Sequence, residues 1–367
     1  MPPALVDEEW TVLAGLLPVG WGELARTTGA IQRERGITDP SVLLQLLLLH
    51  AATGLSLKQT VARARVQRLA SITDVGLLKR LRTSEPWLRE LARRMFESGR
   101  FSRLAVRVPN GRRLRAVDAT TVEEPGATGT DWRVHFCIGL PDLACDFYEL
   151  TDVRGAETYK RFPVSPGDII LGDRGYCHRE GVAHVVKAKG DVIVRLHSTA
   201  FPLLHANGQT PFALLPHLRT LPATEPGEWS VCFRAADTTY SARVCAIRKT
   251  KLAAEQTKRR MLHQARKKQH GVTADALECA EYVFILTTVE LPVLCTDEIL
   301  EAYRARWQIE LCFKRLKSLL RLGHLPKRSD ESARAWIEAK LLTVLLIEAL
   351  LDQARFFSPW GFGVVAT

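Results

Sequence analysis

Asp168-Ile169-Ile170-Leu171-Gly172-Asp173 is a compact apolar run that ends on a carboxylate. A short stretch of β-favouring residues closed by Gly and Asp reads as a strand running into a turn. Upstream, Leu114-Arg115-Ala116-Val117-Asp118 is a second strand candidate that also ends on an aspartate. Trp132 to Leu140 and Asp146 to Asp152 follow as further short strands, separated by Gly, Pro and Asp. Downstream, Gly181 to Lys187 reads as a helix and Asp191-Val192-Ile193-Val194-Arg195-Leu196 as another strand. Strands alternating with helices predict an α/β core.

The pattern changes on either side of this core. The first hundred residues read as helices: Asp39-Pro40-Ser41 starts one through Val42 to Leu49, and Ser56 caps another ending near Arg68. Asp74 to Arg82 and Trp87 to Phe96 supply two more. Short helices rich in arginine suit a helix-turn-helix style DNA-binding unit, and equally a helical cap with a solvated basic face. Beyond His197 the composition turns β-like, with Trp229 to Phe233 and Tyr240 to Ile247 as alternating strands. A basic helix from Lys251 to His270 carries Lys258, Arg259 and Arg260, and Tyr282 to Thr288 returns to the core as a strand. Two long helices, Asp297 to Leu320 and Ser332 to Ala354, finish the chain. The organisation expected is therefore a helical N-terminal, DNA-binding domain over 1–109 and a first part of the core over 110–196. A β-rich insertion with a basic helical arm over 197–281 and the remainder of the core over 282–367 complete it.

Composition narrows the class. The 367 residues carry a net charge of +11 with 46% hydrophobic residues, which suits a folded protein with a polyanionic partner. The eight cysteines form no Cys-x-x-Cys pair, so a structural zinc site is not expected, and several sit in apolar runs as reduced core residues. That suits a cytoplasmic protein. No secretory signal opens the chain, and the greasiest runs fall short of the roughly 20 residues that span a bilayer, so no membrane partner is expected. No Gly-x-Ser-x-Gly elbow supports a serine hydrolase. His135, His178 and His324 form no metal-ligand or triad spacing.

The helix from Asp297 decides the chemistry. At 100° per residue, Tyr303, Arg306, Glu310 and Lys317 fall inside an arc of about 60°. Leu300, Trp307 and Leu311 flank the arc on one side and Ile309, Phe313 and Leu316 on the other. A polar row between apolar flanks implies a packed helix whose charges face a cleft. The plain alternative is an exposed helix with Arg306 and Glu310 as an i,i+4 ion pair.

The spacing Tyr303, two residues, Arg306, three residues, Glu310, six residues, Lys317 resembles the signature of the insertion-sequence-four family of bacterial DDE transposases. The resemblance implies that Glu310 is the third metal-binding carboxylate of a ribonuclease-H-like core. Asp118 in Val117-Asp118-Ala119-Thr120 and Asp173 in Leu171-Gly172-Asp173-Arg174-Gly175-Tyr176 would then be the other two. It also implies cut-and-paste movement of DNA with two Mg²⁺ ions, Mn²⁺ tolerated, Asp118 bridging them. Tyr303, Arg306 and Lys317 would contact DNA phosphates, joined by Arg174 and by Lys258, Arg259 and Arg260 of the basic arm. Tyr282 or Trp229 would stack a flipped base. The partners implied are double-stranded transposon ends and target DNA, bound by a homodimer at the nucleoid. With Thr367 closing the chain soon after the last helix, little room is left for a separate C-terminal dimerisation domain. Each aspartate alone also reads as a helix cap or turn former. A nuclease without strand transfer and an inactive, DNA-binding relative are the rival readings.

Overall fold

The computed structural model describes residues 4–32, 36–98, 107–108, 111–126, 131–140, 143–323, 325–326 and 329–356; His324 lies outside them. Six helices come first: α1 (Ala4–Ala14), α2 (Trp21–Thr27), α3 (Pro40–Thr53), α4 (Leu57–Val66), α5 (Asp74–Thr83) and α6 (Glu85–Glu97). Their starts are chemical. The Asp39 carboxylate accepts the Ser41 N–H at the head of α3, and Ser56 and Gln59 form a reciprocal capping box on α4.

The strands that follow are β1 (Arg107–Val108), β2 (Arg112–Val122), β3 (Trp132–Gly139), β4 (Cys145–Asp152), β5 (Asp168–Gly172) and β6 (Asp191–Arg195), with α7 (Arg179–Lys187) between the last two. Then come β7 (Leu204–His205), α8 (Leu214–Arg219), β8 (Gly227–Ala235), β9 (Thr238–Arg248), α9 (Lys251–Lys267), α10 (Ala274–Cys279) and β10 (Tyr282–Thr287). The chain closes through α11 (Thr296–Ala305), α12 (Trp307–Leu319) and α13 (Asp330–Phe356).

Among the described residues these strands form one ten-stranded mixed sheet, ordered β4-β3-β2-β5-β6-β10-β9-β8-β7, with β1 on β2. β2, β3 and β4 are an antiparallel meander, whereas β5 and β6 run parallel to β2. β10 is antiparallel to β6, and through it β9, β8 and β7 extend the same sheet. The β-rich stretch after His197 is thus hydrogen-bonded to the core sheet.

Period-two alternation sends neighbouring residues of each strand to opposite faces. Leu114, Ala116, Ile169, Leu171 and Ile193 join a core with the N-terminal helices, α11, α12 and α13. Val117, Ile170, Val192 and Val194 join a second core under α7 and α8, with Tyr159 and Tyr176. Ile309, Phe313 and Leu316 of α12 are buried on the first face, where Phe313 meets Phe136 of β3 at 6.0 Å between ring centroids. Burial of that kind contributes about 1.5–3 kcal/mol per side chain, enough to fix where α12 lies.

Three expectations need correction. The helix from Asp297 is not continuous: at Arg306 it breaks into α11 and α12, and the Arg306 and Ile309 N–H groups bond three residues back, to Tyr303 and Arg306. Tightening of that kind within a helix marks a hinge. The polar row also lacks two apolar flanks, because Trp307 is 49% exposed. Asp118, moreover, does not end its strand, since β2 runs on to Val122. No described helix is long and apolar enough to cross a membrane.

Glu338 of α13 is fully buried and accepts the Tyr148 hydroxyl of β4 at 2.8 Å. Burial pushes its carboxyl up to about 7, despite the Tyr148 hydrogen bond. A raised folded-state pKa means that the fold favours the neutral acid. Stability is therefore lost as pH rises from the ordinary glutamate range through about 7. Glu338→Gln keeps an acceptor for Tyr148 and removes the titration. Its stability relative to wild type should rise between pH 5 and pH 8 by on the order of 2 kcal/mol, measured by urea unfolding. A difference that does not change with pH would contradict this account of α13.

Candidate active site

β2 and β5 pair in parallel up to Ala116 opposite Leu171. Two residues beyond each stand Asp118 and Asp173, so alternation aims both carboxylates at the face on which α11 and α12 pack. The ladder has parted there, and the ends of parallel strands are where open α/β sheets leave a crevice. Asp118 Oδ1 accepts its neighbour Ala119's N–H at 2.8 Å. Asp173 Oδ1 accepts the Gly175 N–H at 2.7 Å, capping the 3-10 turn Arg174–Tyr176. The cap reading of Asp173 is therefore correct as local structure, and the side chain's other oxygen is left over.

Arg306 reaches this pair from the hinge. Its guanidinium lies 2.6 Å from Glu310 Oε1 and 3.6 Å from Asp118 Oδ2. Tyr303 supports it, with its ring 5.8 Å from the guanidinium carbon. The Arg306 Nε–H is buried without a hydrogen-bond partner among the described residues. Burial pushes the Asp118 carboxyl up to about 7; the Ala119 N–H opposes this, while Asp173 adds to it. Burial likewise raises the Tyr303 hydroxyl.

The expected residues do not all converge. Asp118, Asp173, Tyr303 and Arg306 share one cleft, but Glu310 is drawn to Arg306. Among the described residues, no group of three His, Cys, Asp or Glu side chains stands close enough to hold a metal ion. The i,i+4 ion pair weighed from the sequence is therefore present, and it occupies the carboxylate that would complete a site. The donor chemistry nonetheless fits a hard divalent cation, which takes carboxylate oxygens in a partly desolvated setting. The buried Tyr176 hydroxyl, without a partner among the described residues, adds an oxygen nearby, with Asp118, Glu157 and Asp173 as the charges around it.

Lys317 is exposed two turns beyond Glu310. Arg174 is exposed and rests against the His197 ring at 3.3 Å rather than on a carboxylate. It lines a cavity of about 530 Å³ with Arg195, Met261 of α9 and Tyr282. In the basic arm, Lys258 is held by Glu281 at 2.6 Å, whereas Arg259 and Arg260 are exposed. Tyr282 is buried with the Arg248 guanidinium over its ring at 5.6 Å, and Trp229 packs edge-on against His217. The Tyr282 ring thus has one face covered, whereas Trp229 is half-buried. His135 is buried against Thr151, and burial with Arg161 holds it down to about 3, so it stays neutral.

Two charged residues escaped the sequence reading. Arg195 ends β6 on the Asp118 face, which extending the strand alternation from Ile193 would have found. Glu157 follows Gly155-Ala156 in a loop that carries no periodic signal, and only the folded chain brings it beside Asp173.

Comparison with known proteins agrees with the signature. Residues 151–346 match the family described as Transposase DDE domain, a span that includes Asp173 and Glu310 and begins after Asp118. The chain is 36% identical over 353 residues to the transposase for insertion sequence element IS421 of Escherichia coli, covering 92% of each. InsL of insertion sequence element IS186A, from Escherichia coli strain K12, matches at 36% over 352 residues with the same coverage. The transposase for IS231E of Bacillus thuringiensis subsp. finitimus is 23% identical over 205 residues, 52% of this chain and 43% of that one. The catalytic domain of human endonuclease V aligns with a TM-score of 0.29 at 13% identity, over 64% of this chain and 98% of that chain, too slight a likeness to bear on the fold. With its signature intact and its two Escherichia coli relatives matched over 92% of their length, this chain belongs to the DDE transposases of the insertion-sequence-four type, enzymes of a domain class that works with divalent metal ions.

Proposed function

We propose that this transposase cuts DNA at the ends of its own element and joins them to target DNA at a site made by Asp118, Asp173 and Glu310. The observation that carries the reading is that Asp118 and Asp173 each stand two residues beyond the last paired residues, Ala116 and Leu171, on the face where the helix bearing Glu310 packs. A ribonuclease-H-like core is supported by the strand order: an antiparallel meander of β4, β3 and β2 continued by parallel β5 and β6. The β-rich insertion before β10 and the helical N-terminal unit keep the boundaries read from the sequence, with the latter as the DNA-binding domain. Two bound Mg²⁺ ions would stabilise the entering and leaving oxygens of an in-line displacement at phosphorus, and Mn²⁺ would substitute. Asp118, Asp173 and Glu310 would hold them.

The chain's own residues prepare that chemistry. A DNA phosphate offers Arg306 two charge-assisted hydrogen bonds and competes with Glu310 for it. Once the guanidinium moves to phosphate, Glu310 is free to turn toward Asp118. Tyr303 keeps the guanidinium within the cleft, and Lys317 and Arg174 extend the phosphate track on either side. Arg259 and Arg260 extend it along α9, whereas Lys258 serves the fold through Glu281. Double-stranded ends must be held in pairs for joining, which calls for a homodimer, working at the nucleoid.

Purified protein with Mg²⁺ and duplexes of the flanking ends is expected to yield cut and joined products. Asp118→Ala, Asp173→Ala and Glu310→Ala should each bind the ends but lose roughly a thousandfold or more in both steps, a loss of about 4 kcal/mol of transition-state stabilisation. Wild type that binds the ends and never cuts, with either ion, would leave a DNA-binding protein. Products cut but never joined would leave a nuclease.

Arg306→Gln separates the two roles of Arg306. Without DNA it should bind Mn²⁺ several-fold more tightly, because Glu310 loses a charge-assisted hydrogen bond. With DNA it should cut about a hundredfold more slowly, because the phosphate loses its fork. Mn²⁺ binding no tighter than wild type would show that Arg306 does not hold Glu310 back.

A further inference from the structure

Gly175 stands where two carboxylates meet. Its N–H donates to Asp173, and a Cβ added to it would come within 2.4 Å of Glu157 Oε2 and 3.0 Å of Asp173 Oδ1. Its φ lies outside the left-handed region, so the glycine is needed there for space rather than for backbone freedom. Glu157 lies in the loop after β4 and is half-buried. Among the described residues nothing donates a hydrogen bond to it, and no cation lies within ion-pair distance. Arg133 and His178 act on it only from further away, and the Arg133 guanidinium is already bonded to the Gly155 carbonyl at 2.7 Å. A carboxylate so placed, beside a second one, is unfavourable without a cation to offset both.

A second observation points the same way. The Tyr176 hydroxyl is buried and has no hydrogen-bond partner among the described residues, although its ring is packed tightly against Tyr159 and Phe162. Burial raises the phenol, and the charges of Asp118, Glu157 and Asp173 act on it in the same direction without any of them accepting its proton in a hydrogen bond. A buried hydroxyl left without a partner calls for one that the described residues do not supply. The oxygen shell of a hydrated cation supplies it.

We propose that Glu157 is a fourth carboxylate of the metal site, set beside Asp173 by the Gly175 turn, with the Tyr176 hydroxyl donating to the ion's oxygen shell. The ligand is a hard divalent cation with its waters, since every donor in reach is an oxygen. This rests on the reading of Asp118 and Asp173 as metal ligands. Glu157 adds a charge beside Asp173, and neither is among the carboxylates that Arg306 holds, Asp118 and Glu310. Ion and carboxylate can therefore associate there while Arg306 still holds Glu310.

The test is Mn²⁺ binding to the full-length, DNA-free protein, read by electron paramagnetic resonance of the free ion. Glu157→Gln is close in shape and uncharged, and it should weaken Mn²⁺ binding by roughly tenfold or more, with the metal-free melting temperature unchanged or raised as the repulsion with Asp173 is removed. Gly175→Ala should cause a similar loss by wedging Glu157 from Asp173, and a smaller one when Glu157→Ala has opened the space. If Glu157→Gln binds Mn²⁺ within about twofold of wild type, the inference is overturned. Asp118→Asn then tells how far the damage reaches. A loss there confines the error to Glu157, whereas no loss, or no Mn²⁺ site in wild type, removes the carboxylate reading as a whole.

Discussion

Carboxylates gathered just beyond the paired stretch of β2 and β5 repel one another, and burial strengthens the repulsion by removing the water that would screen it. Asp118 feels both effects, which is why its proton is held to about 7. The fold keeps these acids together because parallel pairing of β2 with β5 leaves no choice of register: Ala116 opposite Leu171 puts Asp118 and Asp173 side by side. Apolar residues on the same strands fix that register, since a slip of one residue would send Ala116 and Leu171 out of the core they fill. Hydrophobic packing therefore maintains an electrostatically unfavourable cluster. Arg306, reaching in from the hinge between α11 and α12, offsets part of it.

The other end of β2 shows how the same chemistry is arranged when it serves the fold alone. Arg115 is buried between Asp146 at 2.7 Å and Asp168 at 3.0 Å, and Arg113 takes the remaining oxygen of Asp168 at 2.8 Å. The Ser165 N–H also donates to Asp168. Each acid there has a cation and a fixed geometry, as buried charges require. Among the described residues, Asp173 and Glu157 have no cation within ion-pair distance, and the buried Tyr176 hydroxyl has no partner. One strand thus carries a neutralised cluster at its start and an open one beyond its middle. The contrast separates structural acids from acids kept for an outside partner.

Much of this was legible in the chain. The apolar runs ending at Asp118 and Asp173 lie in strands because alternation and turn residues are local signals, and α12 buries the Ile309, Phe313 and Leu316 flank that periodicity marks. The break at Arg306 carries no glycine or proline to announce it. Of the contacts Arg306 makes there, that with Asp118 comes from another element, which the chain alone does not show. Glu157 was invisible for a related reason, being placed by a loop whose path only the packed sheet defines. Lys258 read as one more charge of a basic arm, because its partner Glu281 lies beyond the helix, at the start of β10. Spacing reveals what an element presents, and the chain alone is silent on what comes to meet it.

The most direct measurement is anomalous diffraction at the manganese edge from crystals of the protein bound to a duplex of its element's end. Density for an ion bonded to both Asp118 and Asp173, with Glu310 swung from Arg306 and that arginine on a phosphate, is the expected result. Manganese bound elsewhere, with Arg306 still between Asp118 and Glu310, would contradict it.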